Sequence, residues 1–250
     1  MSKCLIKTVH NRQQQHHSMA SIIKLQRPPK DELRQEYLTF TLALDPDNDK
    51  DVATIKVPVF EAGDVEDWLE WRKFFERLFT LKNIQNGAVA FRHARILLAG
   101  EALIKFNEIA AKKPEGEDGT DAAAPAEESK EAFDAALKAF TNSMLPSHTA
   151  KRVKRYLLEI QKPVYMSVSQ FVTRLQQINS YFPYMPDGGG QNVMLTSTDM
   201  KFVLEQAVPQ AWRSALERSG QHEAMNFNEV YDYFKTLEHL EEETVRSSKN

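Results

Sequence analysis

Residues 158–183, LEIQKPVYMSVSQFVTRLQQINSYFP, decide the fold class. The first of them end an amphipathic helix, Gln161-Lys-Pro163 turns the chain, and Ser167 opens a second helix. Proline has no N–H to donate and disfavours helical geometry in the residue before it, so the first helix stops ahead of Pro163. Ser167 and Gln170 stand at the spacing of a capping box, in which each side chain satisfies the other residue's backbone N–H. Behind the cap, Val168, Phe171, Val172, Leu175 and Ile178 recur at helical spacing. The stretch holds no nucleophile, no paired carboxylates and no metal-ligand set. Its chemistry is that of packing, which points to a protein that assembles rather than one that catalyses.

The same signals extend outward. Ser147, after Pro146, precedes Val153, Tyr156, Leu157 and Ile160; Ser129 precedes Phe133, Ala136, Leu137, Phe140 and Met144. Gly100 separates a helix over 86–99 (Ala88, Phe91, Ala94, Leu97, Leu98) from one over 101–111 (Leu103, Phe106, Ile109), and glycine there supplies a left-handed cap and close packing. Asp64 caps a helix bearing Val65, Trp68, Leu69, Trp71, Phe74, Phe75, Leu78 and Phe79. Its apolar arc is wider than the single stripe of a surface helix, so it reads as the central helix of a lobe, with Phe74 a candidate subunit contact. Helices over 196–208, 209–219 and 226–244 complete the chain, the last with an Asn226–Glu229 capping box. In 196–208, Met200, Val203, Leu204, Ala207 and Val208 share one face, and Phe202 on the opposite face is a second candidate subunit contact. Upstream, alternating runs flank Asp45-Pro-Asp-Asn-Asp49 and read as a β-hairpin within 35–61, Pro58 placing its second strand at an edge. The expected fold is all-α, a two-lobed helical bundle with a short N-terminal hairpin.

Composition narrows function. A chain of 250 residues with 42% hydrophobic residues and net charge −3 suits a soluble protein with a core of its own. Cys4 is the single cysteine, which excludes a disulfide framework and favours a reducing, cytoplasmic setting. No apolar run approaches the roughly 20 residues of a membrane span. Residues 1–34 carry Lys3, Lys7, Arg12, Lys24, Arg27 and Lys30 ahead of the first acidic residue, Asp31, and read as a loose basic arm. The acidic stretch 112–128 and the turn at Gly188-Gly-Gly190 read as flexible loops, and 245–250 as a tail. His10, His16 and His17 lack a scaffold for a metal, Asp187-Gly-Gly-Gly190 lacks the Lys-Ser/Thr of a phosphate loop, and no G-x-S-x-G elbow occurs. The expectation is therefore no enzyme, no cofactor, no metal and no small-molecule substrate. Lys151, Arg152, Lys154 and Arg155 place four cations in five positions of one helix, a solvated face or an RNA contact.

Four motifs, in order, resemble the capsid region of Gag from gypsy-type LTR retrotransposons and the related neuronal Arc capsid domain. They are Phe60-Glu-Ala-Gly63 with Trp68-Leu69 and Trp71; Leu97-Leu98-Ala-Gly100-Glu-Ala102-Leu103 with Phe106; Phe133 to Phe140; and Gln161-Lys-Pro163 with Ser167-Val168 to Leu175. The last is akin to the major homology region of retroviral capsids, and the resemblance covers about 57–240. It implies an N-terminal lobe over 57–145, its core including Trp68, Trp71, Phe75, Leu98, Gly100 and Phe106. It also implies a C-terminal lobe over 146–244, locked by Gln161, Pro163, Ser167, Phe171 and Arg174. The implied function is self-assembly through rings into a shell enclosing RNA, with weak, non-specific RNA contact and no membrane. The chain departs from the pattern in several places. The turn is about one residue longer than usual, and 112–128 looks like an insertion. A single cysteine cannot form the C-x2-C-x4-H-x4-C knuckle. Met166 stands where an acidic partner for Arg174 is expected. Two alternatives remain open at this point: a domesticated helical adaptor binding a host protein, and a nucleic-acid-binding regulator using the basic arm.

Overall fold

The computed structural model describes residues 23–27, 36–45, 48–111, 129–186 and 194–247. Most of the arm 1–34, the acidic loop 112–128, the glycine turn at 188–190 and the end of the 245–250 tail lie outside the described residues. Among the described residues, an antiparallel hairpin of β1 (Tyr37–Asp45) and β2 (Asn48–Pro58) precedes nine α-helices. These are α1 (Val65–Leu81), α2 (Gly87–Leu97), α3 (Gly100–Ala110), α4 (Lys130–Met144), α5 (Thr149–Glu159), α6 (Val168–Asn179), α7 (Ser197–Ala207), α8 (Gln210–Arg218) and α9 (Phe227–Ser247). The chain divides into two compact units: Arg27–Ser147 with Tyr184–Pro186, and the described residues of Met1–Gln26, His148–Pro183 and Asp187–Asn250.

In the first unit, a hairpin of two strands is marginal alone and needs a partner surface. Leu42 and Val57 are buried, and Phe40 stacks on His93 of α2 with centroids 5.9 Å apart while Lys82 lies 5.2 Å above its ring. Pro58 pairs with Tyr37 at the open end of this two-stranded sheet, where a missing donor costs little. Asp64 caps α1 in a capping box with Asp67 rather than with a Glu or Gln. Along α1, Trp68, Trp71, Phe75 and Phe79 form a continuous ladder of rings with successive centroids 4.9, 4.7 and 4.3 Å apart. Phe140 of α4 meets Trp68 edge-on at 4.9 Å, and Phe133 meets Phe91 edge-on at 5.2 Å. Ring pairs of this kind add about 0.5–1.5 kcal/mol each beyond the area they bury. Phe74 points off this ladder and is half-buried. On α3 the buried positions are Ala102, Phe106 and Ala110, whereas Leu103 and Ile109 are half-buried.

The α2–α3 junction ties this unit together. The Leu97 carbonyl, at the end of α2, accepts the Phe60 N–H at 2.9 Å and the Trp71 indole N–H at 3.1 Å. The Ala99 N–H donates in turn to the Phe60 carbonyl at 2.9 Å, so Phe60 and Leu98 run side by side in parallel. The chain must then turn sharply into α3, and Gly100 does so at φ +51°. A Cβ there would stand 2.9 Å from Cγ of Glu61.

In the second unit, α6 buries Val168, Phe171, Val172, Leu175 and Ile178. Helix α9 packs on α6, α7 and α8, and α5 packs on α7. The buried Asn179 amide donates to the Leu195 carbonyl (3.0 Å) and accepts the Leu195 N–H (2.8 Å), fixing the chain just before α7. Ser129, Ser167, Thr196 and Asn226 all serve as caps. Ser147 does not. The N-cap of α5 is His148, in a left-handed conformation at φ 62°, because the chain makes one more turn residue before the buried Thr149 starts the helix. Among the described residues no helix is long and apolar enough to cross a membrane.

Replacing Gly100 by alanine forces an L side chain into the left-handed region and against Glu61. Loss of about 1–2 kcal/mol of stability is expected by denaturant unfolding.

Candidate functional site

The turn between α5 and α6 is held at both ends by main-chain groups that would otherwise be left without partners. Helix α7 ends at Ala207, and its last carbonyls have no partners within the helix. The Gln161 side-chain amide donates to the Gln206 carbonyl (3.1 Å), and the Lys162 N–H donates to that of Ala207 (2.9 Å). The Met166 N–H closes the turn onto the Pro163 carbonyl at 3.1 Å. At the start of α6, Ser167 Oγ accepts the Gln170 N–H and Gln170 Oε1 accepts the Ser167 N–H, at 3.1 and 3.0 Å. One helical turn on, Phe171 is fully buried. Gln161, Pro163, Ser167 and Phe171 therefore meet around a single turn.

Its charge comes from elsewhere. Glu238 of α9 accepts the Val168 N–H with both carboxylate oxygens, at 2.9 and 3.1 Å. An anion at a helix N-terminus is favoured by the helix dipole. The same carboxylate accepts from the Lys162 ammonium at 3.3 Å, and that ammonium also donates to the Met166 carbonyl at 2.7 Å and lies 5.6 Å from the Trp212 ring. The Lys162 side chain is 6% exposed, so this pairing offsets a real desolvation cost. Sequence reading missed Glu238 and Lys162. Glu238 lies in the acidic run 238–243, and only the packing of α9 on α6 singles it out.

Arg174 is 8% exposed. Its guanidinium donates to the main-chain carbonyls of Lys24 and Leu25, with Nε at 3.2 and 3.1 Å, and to Gln177 Oε1 at 2.9 Å. The Gln177 amide in turn donates to the Tyr181 hydroxyl at 3.0 Å. Main-chain carbonyls and Gln177 thus meet Arg174, while Met166, at the position where a carboxylate was expected, is itself buried. Burial pushes the nearby Tyr156 phenol up, with the Arg174 charge opposing. Residues 23–27 of the arm are placed against the folded units rather than loose: Ile23 is 2% exposed. Arg27 pairs with Asp67, with Glu70 (2.9 Å), and at longer range with Asp64 and Glu66 (3.7 and 3.9 Å). This arm cation is matched by carboxylates and is not held out for phosphate.

The remaining candidates separate. Trp68, Trp71, Phe75, Leu98 and Phe106 are buried in the first unit, where Gly100 makes the turn into α3. Phe202 on α7 is 50% exposed beside fully buried Val203 and Leu204. In the basic cluster, Lys151 and Arg155 are exposed, whereas Lys154 stands 3.7 Å from Asp199. The Asp199 carboxyl is held below its ordinary value first by the Thr196 backbone N–H, with Lys154 adding to it. A cavity of about 200 Å³ between α1 and α4 is floored by Phe75, Phe79 and Phe133, and its charged rim pairs internally, Arg72 with Glu76 and Lys130 with Asp134. Among the described residues no group of three or more His, Cys, Asp or Glu could hold a metal ion. No protein-family model, curated protein or solved structure matches the chain.

Glu238→Ala leaves the Val168 N–H without its acceptor and the Lys162 ammonium without its carboxylate, with only the Met166 carbonyl remaining of the acceptors described above. It is expected to cost about 2–3 kcal/mol in denaturant unfolding and to speed hydrogen exchange at Val168, with Glu238→Gln milder. Asp199 contributes stability that is fully present above its ordinary value of 3.8 and is lost as pH falls through its depressed folded value. Asp199→Asn should remove that part of the acid dependence in thermal melts taken across this range.

Proposed function

We propose that the chain is a structural capsid subunit of the Gag type, which self-associates into rings and a closed shell around RNA. The observation that carries this reading is the turn from Gln161 to Phe171. It supplies the last of the four motifs on which the resemblance rests, and it is braced by helix-end contacts and a part-buried ion pair. A rigid turn of this kind suits a subunit that must present one surface many times without deforming. Shell assembly sums many weak, repeated contacts, so each one can be small. Phe202, half-exposed on the outer side of a helix whose inner side is closed, is the contact we assign to a neighbouring subunit. Lys151 and Arg155 are the side chains exposed to meet RNA phosphates, in a weak and salt-sensitive way. The setting we propose is cytoplasmic, which suits a chain with one cysteine.

Rings or particles should appear in electron micrographs and in sedimentation at raised protein and salt concentration. Phe202→Asp should abolish them while leaving circular dichroism unchanged. A chain that stays monomeric under every such condition overturns the reading, and a monomer that captures a defined host peptide would establish an adaptor instead.

A further inference from the structure

The cavity between α1 and α4 lies wholly within the first unit, and its walls are chemically uneven. Phe75, Phe79 and Phe133 give it an aromatic floor, with Phe79 stacked on Phe133 at 5.4 Å. Glu76, Gln85 and Asp134 are exposed and place its mouth at the surface. Arg72 lines the wall, and its side chain is only 15% exposed. Lys162 finds Glu238 and the Met166 carbonyl, and Lys201 finds the carbonyls of His222 and Met225 at 2.6 and 2.7 Å. Arg72 differs from both. Its Nε and Nη1 are buried without a hydrogen-bond acceptor among the described residues, although buried polar groups are nearly always paired. Glu76, one turn on, approaches Nη1 at 3.5 Å, but that carboxylate is 56% exposed, and an exposed pair of this kind is weak. The Tyr184 ring lies 5.6 Å from the guanidinium and turns its face to it, which attracts a cation but accepts no N–H in the plane. Burial holds the Arg72 pKa below its ordinary value although Glu76 opposes it, so the charge is incompletely met.

We propose that this cavity is a binding site for a small aromatic carboxylate, its ring on the phenylalanine floor and its carboxylate accepting from Arg72. An apolar cavity of about 150 Å³ takes a benzene molecule. At about 200 Å³, this one admits a single ring with a short arm. The floor supplies ring contacts, and a guanidinium meets a carboxylate through charge-assisted hydrogen bonds. Lys130, 5.4 Å from the Phe133 ring, adds a second positive charge on the α4 side. The incoming carboxylate displaces Glu76, whose exposed side chain returns to water at little cost. The site is contained in one subunit, so it does not rest on the assembly reading.

The experiment titrates the full-length, isotope-labelled chain at neutral pH and follows its amide resonances. Phenylacetate should shift Thr80, Gln85 and Asp134 in a saturable way, and phenylacetamide, which lacks the charge, should bind about tenfold more weakly. Arg72→Gln should erase that preference and leave acid and amide equal. Glu76→Gln removes the carboxylate that competes for Nη1 and should tighten phenylacetate several-fold. Circular dichroism checks both folds, and the exposed Glu76 variant keeps the test alive if Arg72→Gln does not fold. An absence of saturable shifts up to about 20 mM phenylacetate overturns the proposal. So does equal binding of acid and amide by the wild type, or a Glu76→Gln chain that binds no more tightly. None of these readouts involves particle formation, so this site and the assembly reading fail separately.

Discussion

A protein built almost wholly of short helices must satisfy the main-chain groups at helix ends, because packing carries many of those ends away from water. Each helix leaves N–H groups at its start and carbonyls at its finish without partners inside the helix. A buried group left unsatisfied costs about 1–3 kcal/mol. In this protein the contacts that satisfy those ends are the contacts that join one element to the next. The Leu97 carbonyl takes the Phe60 N–H and the Trp71 indole, which fastens the exit of the hairpin, α1 and the end of α2 at one atom. The carbonyls of Gln206 and Ala207 take Gln161 and Lys162, which fasten α7 to the turn before α6.

The same constraint explains where charge is buried. Three of the first four N–H groups of α6 find acceptors, two of them locally through Ser167 and Gln170 and one through Glu238 of α9. Once Glu238 is drawn inward, a cation must follow it, and Lys162 is that cation. Arg174 is likewise drawn inward by hydrogen bonds to other parts of its unit. Carbonyl oxygens of Lys24 and Leu25 and the Gln177 side chain accept from its guanidinium, which offsets the cost of holding a charged side chain beneath the surface.

This arrangement bears on assembly. The first unit directs the aromatic ladder from Trp68 to Phe79 inward, and the second buries the apolar face of α6. Large apolar groups that remain outside, Phe202 among them, are then not needed by the core and can meet another molecule. Under the proposed assembly each such contact can be small, because many copies of it are summed.

The sequence by itself determined the local structure. Helical spacing and the caps at Asp64, Ser129, Ser167 and Asn226 act over three or four residues, so they are legible without knowing the fold. The hairpin around 45–49 and the left-handed Gly100 were legible for the same reason. The cap of α5 was not, since the left-handed turn falls on His148 and nothing in its side chain announces it. The partners of Arg174, the inward carboxylate of Glu238 and the acidic nest of Arg27 lay beyond reach. Their hydrogen bonds join residues 40 to 150 positions apart, and an acidic run or a basic arm looks the same in sequence whether it faces solvent or a partner. Only the packing of α9 on α6, and of residues 23–27 on the folded units, chooses which of those charges is taken out of water.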